Sequence, residues 1–193
     1  MTIALIYRDR IAPGHSSAYR VIEEEAARAC AELQCPHPHF GMESLSGNEA
    51  WWLNFLDSES HLQGVVAKYA SNLPLTAALE DIAKRKEGMA AGHQEVATEL
   101  ASEGNGRGWS PIGARFVVVA MTGVAVDAPM SVFAWPDKSQ FVLIAARTND
   151  EANALAARIG GATVFAIRPT WGMPAAEWVA ADPEFWKVNP STR

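Results

Sequence analysis

Apolar and β-branched residues crowd the first stretch, TIALIYR at residues 2–8, which suits a strand. Pro13-Gly14 breaks it, and Ser16 or Ser17 offers a helix N-cap. The period then changes. Tyr19, Ile22, Ala26, Ala29 or Cys30, and Leu33 form one helical stripe, with Arg20, Glu23, Glu24, Arg28 and Glu32 on the wet side. Pro36 ends this helix, because a proline pushes its predecessor out of α geometry. His39 to Leu45 and Ala50 to Leu56 flank a Ser-Gly-Asn-Glu turn cluster, which predicts a β-hairpin. A second helix starts at about Ser58, with Leu62, Val65, Val66 and Tyr69 as its stripe. Pro74 interrupts it, and a further helix carries Leu75, Leu79 and Ile82 to a stop near Gly88. His93 to Leu100 suits a short strand or more helix, and the strand is the preferred reading.

Glycines and a proline crowd GNGRGWSPIG at 104–113, a linker that divides the chain into segments 1–103 and 114–193. Beyond it RFVVVAMT is a strand of buried type, and SVFAW and FVLIAAR make a second hairpin. TNDEANALAARIG is a helix with a Thr148/Glu151 capping box and a Gly160 stop. TVFAIRP is the last strand, and Pro174 and Pro183 start two helical turns in the tail. The first half therefore has the split-βαβ, ferredoxin-like order. The second repeats it with one helix missing, since only GVAVDAPM joins its first two strands. The expected fold class is α+β: tandem ferredoxin-like repeats, the second repeat reduced.

Composition narrows the function. Of 193 residues 49 % are hydrophobic, enough for a real core, and the formal charge of −6 with no basic stripe argues against nucleic acid. No apolar run approaches the ~18 residues of a membrane span. The N-terminus lacks a basic leader, and two cysteines suit a reducing cytoplasm.

The order and the residues together resemble the dimeric α+β barrel proteins of the antibiotic-biosynthesis-monooxygenase type. The resemblance runs through residues 2–87: IALIYR, the long amphipathic helix, the hairpin ending WWLNFLDSESHL, and KYASNLPLTAALEDIAKRKEG. FVLIAARTNDEANALAARIGGATVFAIRPTW is similar to the strand–helix–strand half of related small barrels. The resemblance implies that two ferredoxin-like sheets close a barrel, within one chain or in a homodimer. It also implies a small-molecule ligand in the barrel interior or in a sheet–helix cleft. Members include cofactor-free oxygenases of aromatic polyketides, isomerases and haem-binding proteins. The haem-degrading members spread an Asn, a Trp and a His; here Trp52 and Asn54 share one strand, so that activity is not carried over and no cofactor is expected.

With Gly47-Asn48 as the turn, Glu43 lies opposite Trp52, Gly41 opposite Asn54 and His39 opposite Leu56. Alternation then puts His39, Gly41, Glu43, Trp52 and Asn54 on one side and Phe40, Met42, Trp51, Leu53 and Phe55 on the other. The apolar set is expected to meet the helices and the polar set to line the barrel interior as a ligand pocket. The plainer reading is a solvated or internally paired face. In the pocket reading His39, Glu43 and Asn54 polarise the substrate and move protons, Trp52 holds an aromatic ring, and Arg8 or Arg168 at a strand end holds a carboxylate or enolate.

The stretch CAELQCPHPHF raises metal binding. His37, His39 and Glu43 have the H-x-H-x3-E spacing of a cupin ligand set, yet the helices around them are foreign to a cupin and its second motif is absent. Cys30 and Cys35 point about 140° apart on a continuous helix, so they meet one metal only if the helix ends between them. Cys30 is most simply core. There is no G-x-S-x-G and no P-loop, and Gly104, Gly106 and Gly108 lack the strand–helix context of a dinucleotide fingerprint. His15 and His61 read as surface histidines, although His61 at a helix start is a base if it points inward. Trp178 and Trp186 read as anchors for the tail. Three functions stay open: a cofactor-free oxygenase or isomerase, a non-catalytic ligand-binding or structural barrel, and a metalloprotein using His37, His39 and Glu43.

Overall fold

The computed structural model describes residues 2–103, 111–121 and 130–192. Most of the expected linker, and all of the GVAVDAPM connection but Met130, lie outside them. The N-terminal elements are β1 (Ile3–Ile11), α1 (Ser16–Glu32), β2 (His39–Ser44), β3 (Glu49–Leu56), α2 (Glu59–Ser71), α3 (Leu73–Arg85) and β4 (Ala90–Glu103). The C-terminal ones are β5 (Phe116–Ala120), β6 (Met130–Ala134), β7 (Gln140–Ala146), α4 (Asn149–Ile159), β8 (Thr163–Met173), α5 (Ala176–Ala181) and α6 (Pro183–Trp186). His93 to Leu100 is a strand as expected, but a longer one. Pro74 lies in the first turn of α3 rather than inside a helix, and Asn72 caps the new start by accepting from Leu75 N–H. Thr148 caps α4 as expected, though Glu151 returns its bond to Arg147 N–H.

Eight antiparallel strands close a barrel in the order β1-β3-β2-β8-β5-β7-β6-β4. Each repeat contributes the ferredoxin-like sheet, β4-β1-β3-β2 and β8-β5-β7-β6. The joins are β2 with β8 and β4 with β6. The repeats therefore close on each other within one chain, and no strand edge is left open.

The expected face assignment is reversed. Phe40, Met42, Trp51 and Leu53 belong to the largest buried cluster, together with Val117, Phe133, Phe141 and Phe165 from the other repeat. Only the barrel interior is shared by strands on both sides, so this apolar set fills it. Phe133 stacks on Phe141 at 5.2 Å, and Trp135 stacks on Phe141 at 4.4 Å. The interior is thus a packed core, with each large apolar side chain contributing about 1.5–3 kcal/mol. Trp178 and Trp186 join the same cluster and anchor α5 and α6, Trp178 meeting Phe40 edge-on at 5.7 Å. The hairpin register is two residues from the expected one: Gly41 pairs with Trp52 and Glu43 with Ala50. A slip of two keeps each side chain on its face. What misled the assignment was polarity, because a barrel whose interior is solid needs its apolar face inward.

Candidate functional site

The polar face of the N-terminal half-sheet looks outward, toward α1, α2 and α3. Between sheet and helices lies a cleft of about 480 Å³. Alternation along the strands delivers Leu5, Tyr7 and Asp9 from β1, His39 from β2, and Trp52 and Asn54 from β3. Helix α1 adds Glu23, Ala26 and Cys30; α2 adds Val65 and Tyr69; α3 and its C-cap add Leu79, Ile82 and Lys86.

One end of the cleft is built by the way α1 stops. Leu33 N–H bonds to Ala29 O at 2.9 Å, Gln34 turns left-handed at φ 58°, and Cys35 N–H bonds back to Cys30 O at 2.8 Å. This Schellman-type ending folds Cys35 over the last turn. The helix does end between the cysteines, and Cys30 Sγ, Cys35 Sγ and a ring nitrogen of His39 lie within 4.8 Å of one another. Cys35 Sγ is 3.0 Å from the Tyr69 hydroxyl and 3.9 Å from His39 Nδ1. Tyr69 in turn contacts His37 Nε2 at 3.1 Å. Hydrogen bonding from Cys30 holds the Cys35 thiol below its ordinary value despite burial, with His39 and Tyr69 acting in the same direction. The neighbouring Cys35 and burial push Cys30 up. Burial, then the charge of His39, holds His37 below its ordinary value of 6.5, so it is a neutral imidazole at neutral pH.

At the other end Lys86 Nζ bridges Asp9 Oδ2 at 2.9 Å and Glu23 Oε1 at 2.8 Å, and Tyr19 donates to Asp9 Oδ2 at 2.6 Å. Burial raises Glu23 above its ordinary carboxylate value, against the pull of Lys86. Lys86 is desolvated, yet Glu23 and Asp9 together lift it above 10.5. The middle is apolar. Trp52 stacks on Trp171 with centroids 5.6 Å apart and planes 12° from parallel. Gly41 makes this possible, since a Cβ there would fall 2.7 Å from the Trp171 ring. Asn54 Nδ2 donates to Leu5 O at 2.9 Å, while its Oδ1 is buried without a partner among the described residues.

Of the residues singled out in the sequence, His37, His39, Trp52 and Asn54 line the cleft together. Glu43 does not. It is fully buried, with both oxygens on Arg20 Nε (3.0 and 2.9 Å) and one on Arg168, and so ties α1 and β8 to β2. That fixes Arg168 as well and leaves His37, His39 and Glu43 apart as a ligand set. Among the described residues the metal-ligand types that converge are Cys30, Cys35 and His39. Arg8 points to the interior side, over Trp51 at 4.6 Å, with Glu49 and Glu95 at 3.3 and 3.4 Å. His61 is half-exposed beside Asp57. Sequence reasoning passed over Tyr69 and Lys86, which look like an apolar stripe position and a surface lysine.

Eight strands in two 4-1-3-2 sheets, closed on each other and covered by helices, decide the architecture. The chain has the dimeric α+β barrel fold. An anthrone oxidase-like protein shares the barrel with a TM-score of 0.51 at 6 % identity, over 86 % of this chain and 91 % of the other. A mutant chlorite dismutase from Candidatus Nitrospira defluvii aligns with a TM-score of 0.45 at 7 % identity, covering 88 % of this chain and 92 % of the other. An inferred monooxygenase from Lactobacillus acidophilus NCFM aligns with a TM-score of 0.47 at 10 % identity, covering 90 % and 96 %. No protein-family model matches the barrel's sequence, and no curated protein matches it. No helix among the described residues is long and apolar enough to cross a membrane.

Proposed function

We propose that this barrel binds a small aromatic or enolisable molecule in the helix–sheet cleft and removes a proton from it without a cofactor. That step opens both an isomerase and a cofactor-free oxygenase reaction. The observation that carries the reading is a buried imidazole pair, His37 and His39, in the wall of an apolar cleft floored by Trp52. His39 Nδ1 lies 3.2 Å from His37 O. A proton held there leaves Nε2 with its lone pair, the form a general base needs. Trp52 supplies a flat surface for a ring. Asn54 Oδ1 has no donor among the described residues, so it gains most from a substrate hydroxyl. The enolate then regains the proton at another carbon, or passes electrons to dioxygen. Glu43 and Arg8 have no part in this reading. A homodimer is compatible with it, but neither barrel nor cleft requires one.

The test is solvent deuterium exchange into an anthrone or a 1,3-diketone under nitrogen, followed by NMR, and then oxygen uptake in air. Exchange that is lost in His39→Ala and lowered in Asn54→Ala supports the reading. Saturable binding with no exchange for any probe overturns it in favour of a non-catalytic ligand-binding barrel.

A further inference from the structure

We propose that Cys30 and Cys35 are a redox pair that closes to an intrachain disulfide when a hydroperoxide enters the cleft. The proposal stands on the placement of the two sulfurs, independently of the substrate reading. They lie within 4.8 Å of each other, and a disulfide needs about 2.05 Å. The part that must move is the turn beyond α1, not a residue inside the helix. Hydrogen-bonding groups gather at Cys35: the Tyr69 hydroxyl at 3.0 Å and His39 Nδ1 at 3.9 Å. A sulfur so surrounded carries negative charge readily and is the attacker. Cys35 lies just behind Cys30, His39 and Tyr69, which line the cleft, and Cys30 resolves the intermediate.

Size selects the oxidant. Cys30 and Cys35 are only 4 % and 7 % exposed, which admits a small neutral hydroperoxide and excludes a bulky disulfide. With hydrogen peroxide the Cys35 thiolate attacks one oxygen, the O–O bond breaks, and the leaving hydroxide takes a proton to become water; an organic hydroperoxide releases an alcohol at this step. This leaves a Cys35 sulfenic acid. Cys30 then gives up its proton, its sulfur attacks Cys35, the S–S bond forms and the S–O bond breaks, releasing a second water. Two thiols lose two electrons and one hydrogen peroxide is reduced to two waters.

The reduced protein is treated with hydrogen peroxide, unfolded, alkylated and weighed intact. The expected product lacks two hydrogens, resists alkylation at both cysteines, stays monomeric on a non-reducing gel and is restored by dithiothreitol. Cys30→Ser is expected to stop at the sulfenic acid and take up dimedone. Cys35→Ser is expected to consume peroxide at least about tenfold more slowly. The wild-type mass is decisive even where a variant fails to fold. An unchanged mass, a disulfide formed only between chains, or dimedone uptake by Cys35→Ser but not by Cys30→Ser overturns the proposal. So does a stoichiometric zinc ion that co-purifies with untagged protein and blocks oxidation.

Discussion

Oδ1 of Asp9 occupies the space a side chain at Gly92 would need: a Cβ there would come within 1.9 Å of it. The carboxylate cannot simply swing away, because its other oxygen holds Tyr19 and Lys86. Gly92→Ala is therefore expected to destabilise the fold by about 1–3 kcal/mol through overpacking. Urea unfolding measures it. Asp9→Asn in the same background does not relieve the clash, whereas Asp9→Ala does.

Lys86 is the cation between two buried acids. Lys86→Met leaves Asp9 and Glu23 facing each other without it, which is expected to cost about 3–5 kcal/mol. Adding Glu23→Gln removes one of the stranded charges and is expected to recover a large part of that loss. Denaturant midpoints of the wild type, both single variants and the double variant close the cycle. Additive effects would mean that Lys86 and Glu23 are not coupled.

Acid stability reports on His37. Its folded value is depressed below 6.5, so the unfolded chain takes up the proton first. The stability it contributes is fully present above pH 6.5 and is lost as pH falls through the folded value. Thermal melts taken downward from pH 7 are expected to show a steeper loss for the wild type than for His37→Gln.

Gly41→Ala tests the stacked floor of the cleft. The new methyl meets Cε3 and Cβ of Trp171 at 2.7 and 2.9 Å and pushes the ring against Trp52. Stability is expected to fall by about 1–3 kcal/mol. The affinity of an aromatic probe, read by tryptophan fluorescence, is expected to fall with it. Unaltered affinity would remove Trp52 from the ligand's surroundings.

The fold was legible because its signals are local. The stripe from Tyr19 to Cys30, the hairpin around Gly47 and the Thr148 cap each describe a few neighbouring residues, and all three stand in the structure, whereas α1 stops at Glu32, ahead of Pro36, through the left-handed turn at Gln34. Which face of the hairpin turns inward was not legible. Alternation groups Trp51 with Leu53 and Trp52 with Asn54, but both groups are aromatic-bearing, and only the far half of the chain decides which one meets Phe133 and Phe165. The cysteine pair depended on Gln34, a residue that carries no mark of the left-handed turn it makes. Tyr69 and Lys86 gain their importance from partners 34 and 77 positions away, a distance at which one sequence holds no pairing signal.

Closing both joins within one chain also changes the arithmetic of the site. A barrel assembled from two identical chains carries a twofold axis, and whatever cleft one half owns the other must own too. Here the halves are free to differ. The outer face of the second half is sealed by α4, which packs Ala152 and Leu155 onto Val118, Val142 and Ile144. The first half keeps its cleft. The two outer faces thus differ, one open as a cleft and the other covered by a helix, and the covered half can change its sequence without reshaping the cleft opposite.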